Sequence, residues 1–252
     1  MIEIENVTRR YGTTTVVDGV SLSIPVGGVT ALVGANGAGK STLLSIIGRI
    51  LRPDAGTVRV DGLDVAATPG ATLARRLSIL RQENQVAVRI TVRELVEFGR
   101  FPHSGGRLTR EDVAHVNRAI EYLQLEPYAD RPLDRLSGGQ RQLAFIAMVL
   151  CQDTGYMLLD EPLNNLDMRH SAQTMGLIRQ MAQDLGKTII VVIHDINFAA
   201  CHADRIVAMK DGRIVADGAP REIVTPETIK AVFGIDVPVH EVDGRPLAMY
   251  FA

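Results

Sequence analysis

The sequence predicts an α/β protein: helices packed on a mostly parallel sheet, an antiparallel β part at the N-terminus, and an inserted helical block. Three observations predict it. Short β runs alternate with turn signals through the first third of the chain. From residue 91 to about 150 the apolar pattern turns helical. Beyond that block, strands and helices alternate again, as parallel strands joined by crossover helices do.

The elements follow in order. The first strands are read at IEIENV (2–7), TTTVVDGVSLSI (13–24), VTALVG (29–34) and TVRVDG (57–62), with the apolar run LSILRQ (77–82) after them. In the helical block, Thr91 with Glu94 and Thr109 with Asp112 have the spacing of N-terminal caps. Val113, Val116, Ile120 and Leu123 recur at intervals of three and four and predict one buried stripe. Strand character returns with YMLLD (156–160), TIIVVIH (188–194) and RIVAMKDGRIVADG (205–218), the last a hairpin by its Asp-Gly turn. A helical stretch at 169–185 separates the first two of these, and VPVHEVDGRPLAMYF (237–251) reads as a small terminal hairpin. The expected organisation is one domain over 1–252. Its core comes from 1–90 and 151–220, its helical subdomain from 91–150 and its C-terminal extension from 221–252.

Composition narrows the function. The 252 residues are 46% apolar and 22% charged, which suits a large core. Lys and Arg total 27 against 29 Asp and Glu, a formal charge of −2, which argues against a nucleic-acid footprint. The N-terminus MIEIENVTRRYG lacks the basic and apolar regions of a signal peptide. The longest apolar runs, AFIAMVLC (144–151) and IIVVI (189–193), are far short of a membrane span. The chain is therefore expected to be soluble, and a membrane role would need a partner. Cys151 and Cys201 have no metal or redox spacing and read as small buried thiols; the histidines show no zinc spacing.

Two segments look built for phosphate. GANGAGKS (34–41) fits G-x-x-x-x-G-K-[ST], follows the apolar strand VTALV and opens an apolar helix. Its glycines let backbone N–H groups converge on an anion. Lys40 supplies a charge to the β- and γ-phosphates, and Ser41 offers a hydroxyl to Mg²⁺. About a hundred residues on, LSGGQRQL (136–143) begins a second helix. Ser137 and Gln140 make an S-x-x-Q capping box. Gly138 and Gly139 each lower helix propensity by about 1 kcal/mol, which a segment made only to be helical would not accept. Bare backbone at a helix N-terminus suits close approach of a phosphate.

Other residues fit the same chemistry. YMLLDE ends an apolar strand in two carboxylates: Asp160 is suited to hold Mg²⁺ through its water shell, and Glu161 to polarise an attacking water. Gln82, at the end of LSILRQ, can ligate Mg²⁺ or orient water, or be an ordinary loop residue. His194, at the end of TIIVVI, can touch a γ-phosphate or be a satisfied core histidine. Tyr11, in RRYG, can stack on adenine or simply lie on the surface.

Taken together, GANGAGKST, Gln82, LSGGQ, YMLLDE, NNLD (164–167) and His194 occur in the order seen in ABC-type ATPases, and the resemblance spans nearly the whole chain. It implies a P-loop NTPase core with an N-terminal antiparallel β part and an inserted helical subdomain. It implies ATP and Mg²⁺ as cofactors, and it accounts for two phosphate-binding segments in one chain. ABC ATPases work as head-to-tail pairs, in which the P-loop of one copy and the LSGGQ of the other close on each ATP. Gly34, Asn36, Gly37, Ala38, Gly39, Lys40, Ser41 and Thr42 would then cradle one nucleotide, and Tyr11 would face its adenine. Ser137, Gly138, Gly139 and Gln140 would meet the γ-phosphate held by the second copy. Ser41, Gln82 and Asp160 would serve the metal, Glu161 would be the general base, His194 would contact the γ-phosphate, and Asp167 would lie at the subunit contact. ATP would favour the closed pair and hydrolysis would reopen it.

More closely, RQEN…TVRELVEFGRFPHS (81–104), QDT (152–154), DEPLNNLDM (160–168) and HDINFA (194–199) resemble ATP-binding subunits of ferric siderophore importers, especially the petrobactin-like or catecholate branch. Leu143 departs from that pattern, where relatives often carry Arg, and so does Cys151, where they often carry Ala. The resemblance implies a transmembrane permease as partner, with residues 83–104 receiving it, and an indirect extracytoplasmic siderophore-binding protein. It places the chain at the cytoplasmic face of the cell membrane and leaves no role for nucleic acid. Heme, cobalamin or another metal chelate remains an alternative cargo, and a soluble ABC ATPase of iron–sulfur assembly an alternative class.

Overall fold

The computed structural model describes residues 1–82, 84 and 88–250. The chain forms two compact units, Met1–Thr68 with Ile178–Ala252, and Pro69–Leu177. The first unit opens with β1 (Ile2–Tyr11), β2 (Thr14–Ile24), β3 (Gly28–Val33), α1 (Lys40–Ile47), β4 (Ala55–Val60) and β5 (Leu63–Asp64). The second holds α2 (Gly70–Ala74), β6 (Leu77–Leu80), α3 (Val92–Phe98), α4 (Phe101–Ser104), α5 (Arg110–Tyr122), α6 (Gly138–Cys151) and β7 (Tyr156–Asp160). Helix α7 (Met168–Asp184) carries the chain back to the first unit. There follow β8 (Thr188–Val192), α8 (Ile196–His202), β9 (Arg205–Lys210), β10 (Arg213–Gly218), α9 (Pro220–Ile223), α10 (Pro226–Phe233), β11 (Val239–Val242) and β12 (Arg245–Ala248).

In the first unit, β1 is flanked by antiparallel neighbours, with Ile2 opposite Ile24 on β2 and Val60 on β4. Alternation buries Ile2 and Ile4 with Val20, Leu22 and Ile24, and register shifts between Ile4 and Val7 and between Val7 and Arg9 let Val7 and Val17 be buried as well. Strand β3 is different. Its residues Val29–Val33 are all buried, as in a parallel strand covered on both faces. It pairs in parallel with β8, Val29 beside Ile189, and with β9, Ala31 beside Ile206. The β9–β10 hairpin turns at Asp211 and Gly212, both left-handed, as the Asp-Gly signal predicts. The terminal hairpin β11–β12 turns at Asp243 and Gly244 in the same way.

In the second unit, β6 and β7 pair in parallel from Leu77 beside Tyr156 to Leu80 beside Leu159. Both expected caps form as reciprocal boxes, Thr91 with Glu94 and Thr109 with Asp112. Val116, Ile120 and Leu123 are buried as the stripe predicts, but Val113 is 42% exposed. It lies in the first turn of α5, at the end of the stripe. Charge also holds this unit together. Arg100 Nε donates to Asp112 at 2.8 Å and its Nη1 to the Cys151 carbonyl at 3.0 Å. One guanidinium thus ties the segment before α4 to α5 and to the end of α6, with both ionic side chains 5% exposed. Burial pushes the neighbouring Cys151 thiol up to about 12, so it stays an inert apolar group.

Two strands are shorter than the sequence suggests. β6 stops at Leu80 and β8 at Val192, so Gln82 and His194 each stand two residues beyond a strand end. Among the described residues no helix is long and apolar enough to cross a membrane. Of the stretch 83–104 expected to face a permease, residues 83 and 85–87 lie outside the described residues.

Candidate functional site

The first unit carries the P-loop. Gly34, Gly37 and Gly39 have φ of +148°, +80° and +98°, which L side chains avoid. A Cβ on Gly34 would strike the Met209 carbonyl oxygen, and one on Gly39 the Val16 carbonyl oxygen. The loop's path between β3 and α1 therefore depends on glycine at both places. Gly39 occupies the N-cap of α1 without a side-chain cap, and the first turn holds no acid. The amides and the positive end of the helix dipole are left for an anion. Lys40 is the first residue of α1 and only 4% exposed. Its Nζ donates to the carbonyls of Gly34 and Ala35, each at 2.9 Å. The ammonium is folded onto its own loop, where a phosphate would offer a stronger, charged acceptor. Ser41 and Thr42 follow on α1, and Asn36 is exposed at the loop tip beside buried Ala38.

Tyr11 ends β1 with 47% of its surface exposed. The Arg9 guanidinium lies 5.0 Å from its ring centroid. Arg9 is itself held by Asp54 at 2.9 Å and the Arg52 carbonyl at 3.2 Å. His194 is exposed beyond β8. The next residue, Asp195, caps α8 by accepting from the amides of Asn197 at 2.8 Å and Phe198 at 3.3 Å. His194 therefore lies at the surface and not in the core.

The second unit carries the acids and the LSGGQ segment. Asp160 is 7% exposed at the end of β7. Glu161 has φ +49°, so the chain breaks strand geometry there and Glu161 leaves the direction of Asp160. Its Oε2 accepts from Gln82 Nε2 at 2.6 Å and from Asn164 Nδ2. The structure thus brings Gln82 to Glu161. Both line a cavity of about 180 Å³ with Asn164, Asn165, Gly138 and Arg141.

Ser137 caps α6 as predicted: its Oγ accepts from the Gln140 amide at 3.3 Å, and Gln140 Oε1 accepts from the Ser137 amide at 3.1 Å. The two glycines differ. Gly139 is buried, and a Cβ there would come within 2.7 Å of His170 Cγ. Packing alone explains that glycine. Gly138 is exposed, and a Cβ on it would meet nothing nearer than the Asn165 carbonyl oxygen at 3.6 Å. No neighbour in its own unit demands a glycine at 138. The His170 ring is held by Asp167, whose Oδ1 lies 2.8 Å from both the His170 amide and Nδ1. These contacts, the amide first, keep the Asp167 carboxyl below the usual carboxylate range.

Sequence reasoning missed His170 and Asn164. The signal for His170 was its place three residues after Asp167, the capping interval; Asn164 stood unread inside NNLD. Among the described residues there is no cluster of three or more His, Cys, Asp or Glu side chains that could hold a metal ion.

The family model described as ABC transporter matches residues 17–164. The petrobactin import ATP-binding protein YclP of Bacillus subtilis (strain 168) is 48% identical over 252 residues, covering 100% of both chains. The petrobactin import ATP-binding protein FatE of Bacillus anthracis is 48% identical over 250 residues, covering 99% of this chain and 100% of the relative. A solved dimeric ATP-binding cassette in a post-hydrolysis state, bound to ADP and Pi, superposes with a TM-score of 0.76. It is 29% identical and covers 87% of this chain and 98% of its own. By that family match and by identity over the full length of both chains, the chain belongs to the ABC transporter family as an ATP-hydrolysing subunit.

Proposed function

We propose that this ATPase powers import of an iron(III)–siderophore complex, of the petrobactin or catecholate class, through a separate transmembrane permease at the cytoplasmic face of the membrane. The observation that carries the cargo is 48% identity, over the full length of both chains, to a petrobactin import protein. The extracytoplasmic binding protein acts on the permease and reaches this chain only indirectly. Two copies clasp two ATP molecules head to tail, the P-loop of one facing Ser137–Gln140 of the other. Exposed Gly138, which no neighbour in its own unit explains, supports this reading.

In that pair the backbone of residues 34–42 and Lys40 neutralise the β- and γ-phosphates, and Tyr11 stacks on adenine. Glu161 takes a proton from the attacking water. Gln82 and Asn164, both donating to its Oε2, fix the carboxylate. His194 contacts the γ-phosphate. Ser41, Gln82 and Asp160 carry hard oxygen donors of the kind Mg²⁺ prefers and would hold it. When bound it offsets charge that develops on the transferred phosphate.

The test is growth of a strain lacking this chain, supplied with ferric petrobactin, ferric enterobactin, heme or cobalamin. The parental chain restores growth on a ferric siderophore, and Glu161→Gln, which binds ATP but turns over about 10²–10⁴-fold more slowly, does not. Restoration on heme or cobalamin alone would overturn the cargo assignment. Full rescue by Glu161→Gln would overturn the general-base role.

A further inference from the structure

The last strand of the chain ends against the residues that follow His194. Asn197, in the first turn of α8, treats β12 as if it were a neighbouring strand. Its Nδ2 donates to the Ala248 carbonyl at 3.0 Å, and its Oδ1 accepts from the Ala248 amide at 2.8 Å. Two residues further on, the Tyr250 hydroxyl hydrogen-bonds to Asp195 and to the Asn197 side chain. Asp195 is the cap of α8 and the direct neighbour of His194. The hairpin is fixed at its other end as well. Arg221, on α9, donates from Nη2 to the Gly244 carbonyl at the turn at 2.8 Å, and Met249 closes back onto the Pro238 carbonyl at 3.0 Å.

The hairpin does little for the core. Three of the four residues of β11 are exposed, and on β12 only Pro246 and Ala248 are buried. Its specific polar contacts go instead to the first turn of α8 and to Arg221 on α9. Burial, and then the Asp195 charge beside it, raise the Tyr250 hydroxyl well above the usual phenol range, so it stays protonated and can donate to Asp195. Asp195 Oδ1 accepts from the two helix amides, and the Asp195 side chain also meets the Tyr250 hydroxyl.

We propose that the C-terminal hairpin is a latch, in which Asn197 and Tyr250 act as positioning residues that set where His194 stands. The proposal rests on the reading of His194 as the γ-phosphate contact. Neither Asn197 nor Tyr250 touches nucleotide. Both fix the one-residue link between the α8 cap and the histidine, so their loss moves the imidazole and leaves the phosphate cradle alone.

The test uses the full chain and the variants Tyr250→Phe, Asn197→Ala and His194→Ala. Tyr250→Phe removes one oxygen and keeps the ring, so it folds even where Asn197→Ala does not. Steady-state ATP hydrolysis, nucleotide affinity by fluorescence and the imidazole NMR signals of His194 are measured, the signals being assigned by their loss in His194→Ala. An ångström-scale misplacement costs up to about a hundredfold, so kcat is expected to fall about tenfold in each latch variant. The KM for ATP and the nucleotide affinity stay within about twofold, and the His194 signals shift. In the His194→Ala background the latch variants cause no further loss of the residual rate.

If His194→Ala is slow but Tyr250→Phe and Asn197→Ala hydrolyse ATP at the parental rate with unmoved His194 signals, the latch is refuted and the reading of His194 survives. A fall in melting temperature and ATP affinity with unmoved His194 signals makes the contacts a plain staple and also refutes the latch. A His194→Ala chain at the parental rate refutes the underlying reading, and the latch falls with it.

Discussion

Replacing Gly139 by Ala sets two effects of opposite sign against each other at one atom. Gly139 lies within α6, in ordinary helical backbone. Helix propensity alone makes Ala better there by about 1 kcal/mol. The new methyl, however, would sit 2.7 Å from His170 Cγ, and the ring is held in place by Asp167. Forcing a methyl into such a contact costs about 1–3 kcal/mol. The net expectation is a loss of about 1 kcal/mol. In a His170→Ala chain the obstacle is gone, and the same Gly139→Ala change should stabilise by about 1 kcal/mol. The sign reverses, and the coupling between the two positions comes to about 2 kcal/mol. Urea unfolding of the four nucleotide-free chains, followed by far-UV circular dichroism, measures it. Equal effects of Gly139→Ala in both backgrounds would show that the ring does not demand the glycine, and the packing argument would fail.

Two further outcomes follow from the same geometry. Asp112 is held at about 2, below its ordinary 3.8, chiefly by the Thr109 amide, then by the Thr109 hydroxyl and Arg100. A carboxyl depressed on folding adds stability above its unfolded value, and that stability is lost as pH falls through the folded value. About 2 kcal/mol should therefore disappear between roughly pH 4 and pH 2. Asp112→Asn should be less stable at pH 7 and show a flatter dependence in that window; equal acid slopes in urea titrations would contradict the assignment. At the P-loop, Gly39→Ala must adopt φ +98° against the Val16 carbonyl, at a backbone cost of about 1–3 kcal/mol. Calorimetry should find ATP binding lost in Gly39→Ala, and unchanged affinity would mean the loop tolerates a different path.

How far the sequence could be read depended on how local each signal was. The capping boxes at Thr91, Thr109 and Ser137 are four-residue patterns, and all three form as expected. The strand YMLLD spans the residues of β7, because a short apolar run ending in acids has sharp edges. The Gly-rich loop declared itself for the same reason: its glycines answer to steric limits that no other residue meets. Signals that depend on distant partners stayed hidden. Gly139 looked like a phosphate-facing glycine like its neighbour, yet it answers to His170, 31 positions away in the chain. Gln82 was ambiguous until Glu161, 79 positions away, was seen to accept its amide hydrogen. Val113 kept the period of its stripe but lies where the helix has no cover. Short helices such as α2 and α9 escaped notice because one turn holds too few apolar positions to show a period.

The parallel pairing of β3 has a consequence for the birth of the chain. Gly28 lies beside Thr188, which stands 160 positions later in the sequence. A ribosome adding 5–20 residues each second leaves β3 without that neighbour for on the order of ten to thirty seconds. During this wait a strand of Val, Ala and Leu stands with bare edges, open to adhesion with any nascent neighbour. The contiguous segment from Pro69 to Leu177 emerges whole in the meantime. The longest wait for a partner thus falls on the strand that leads into the phosphate loop.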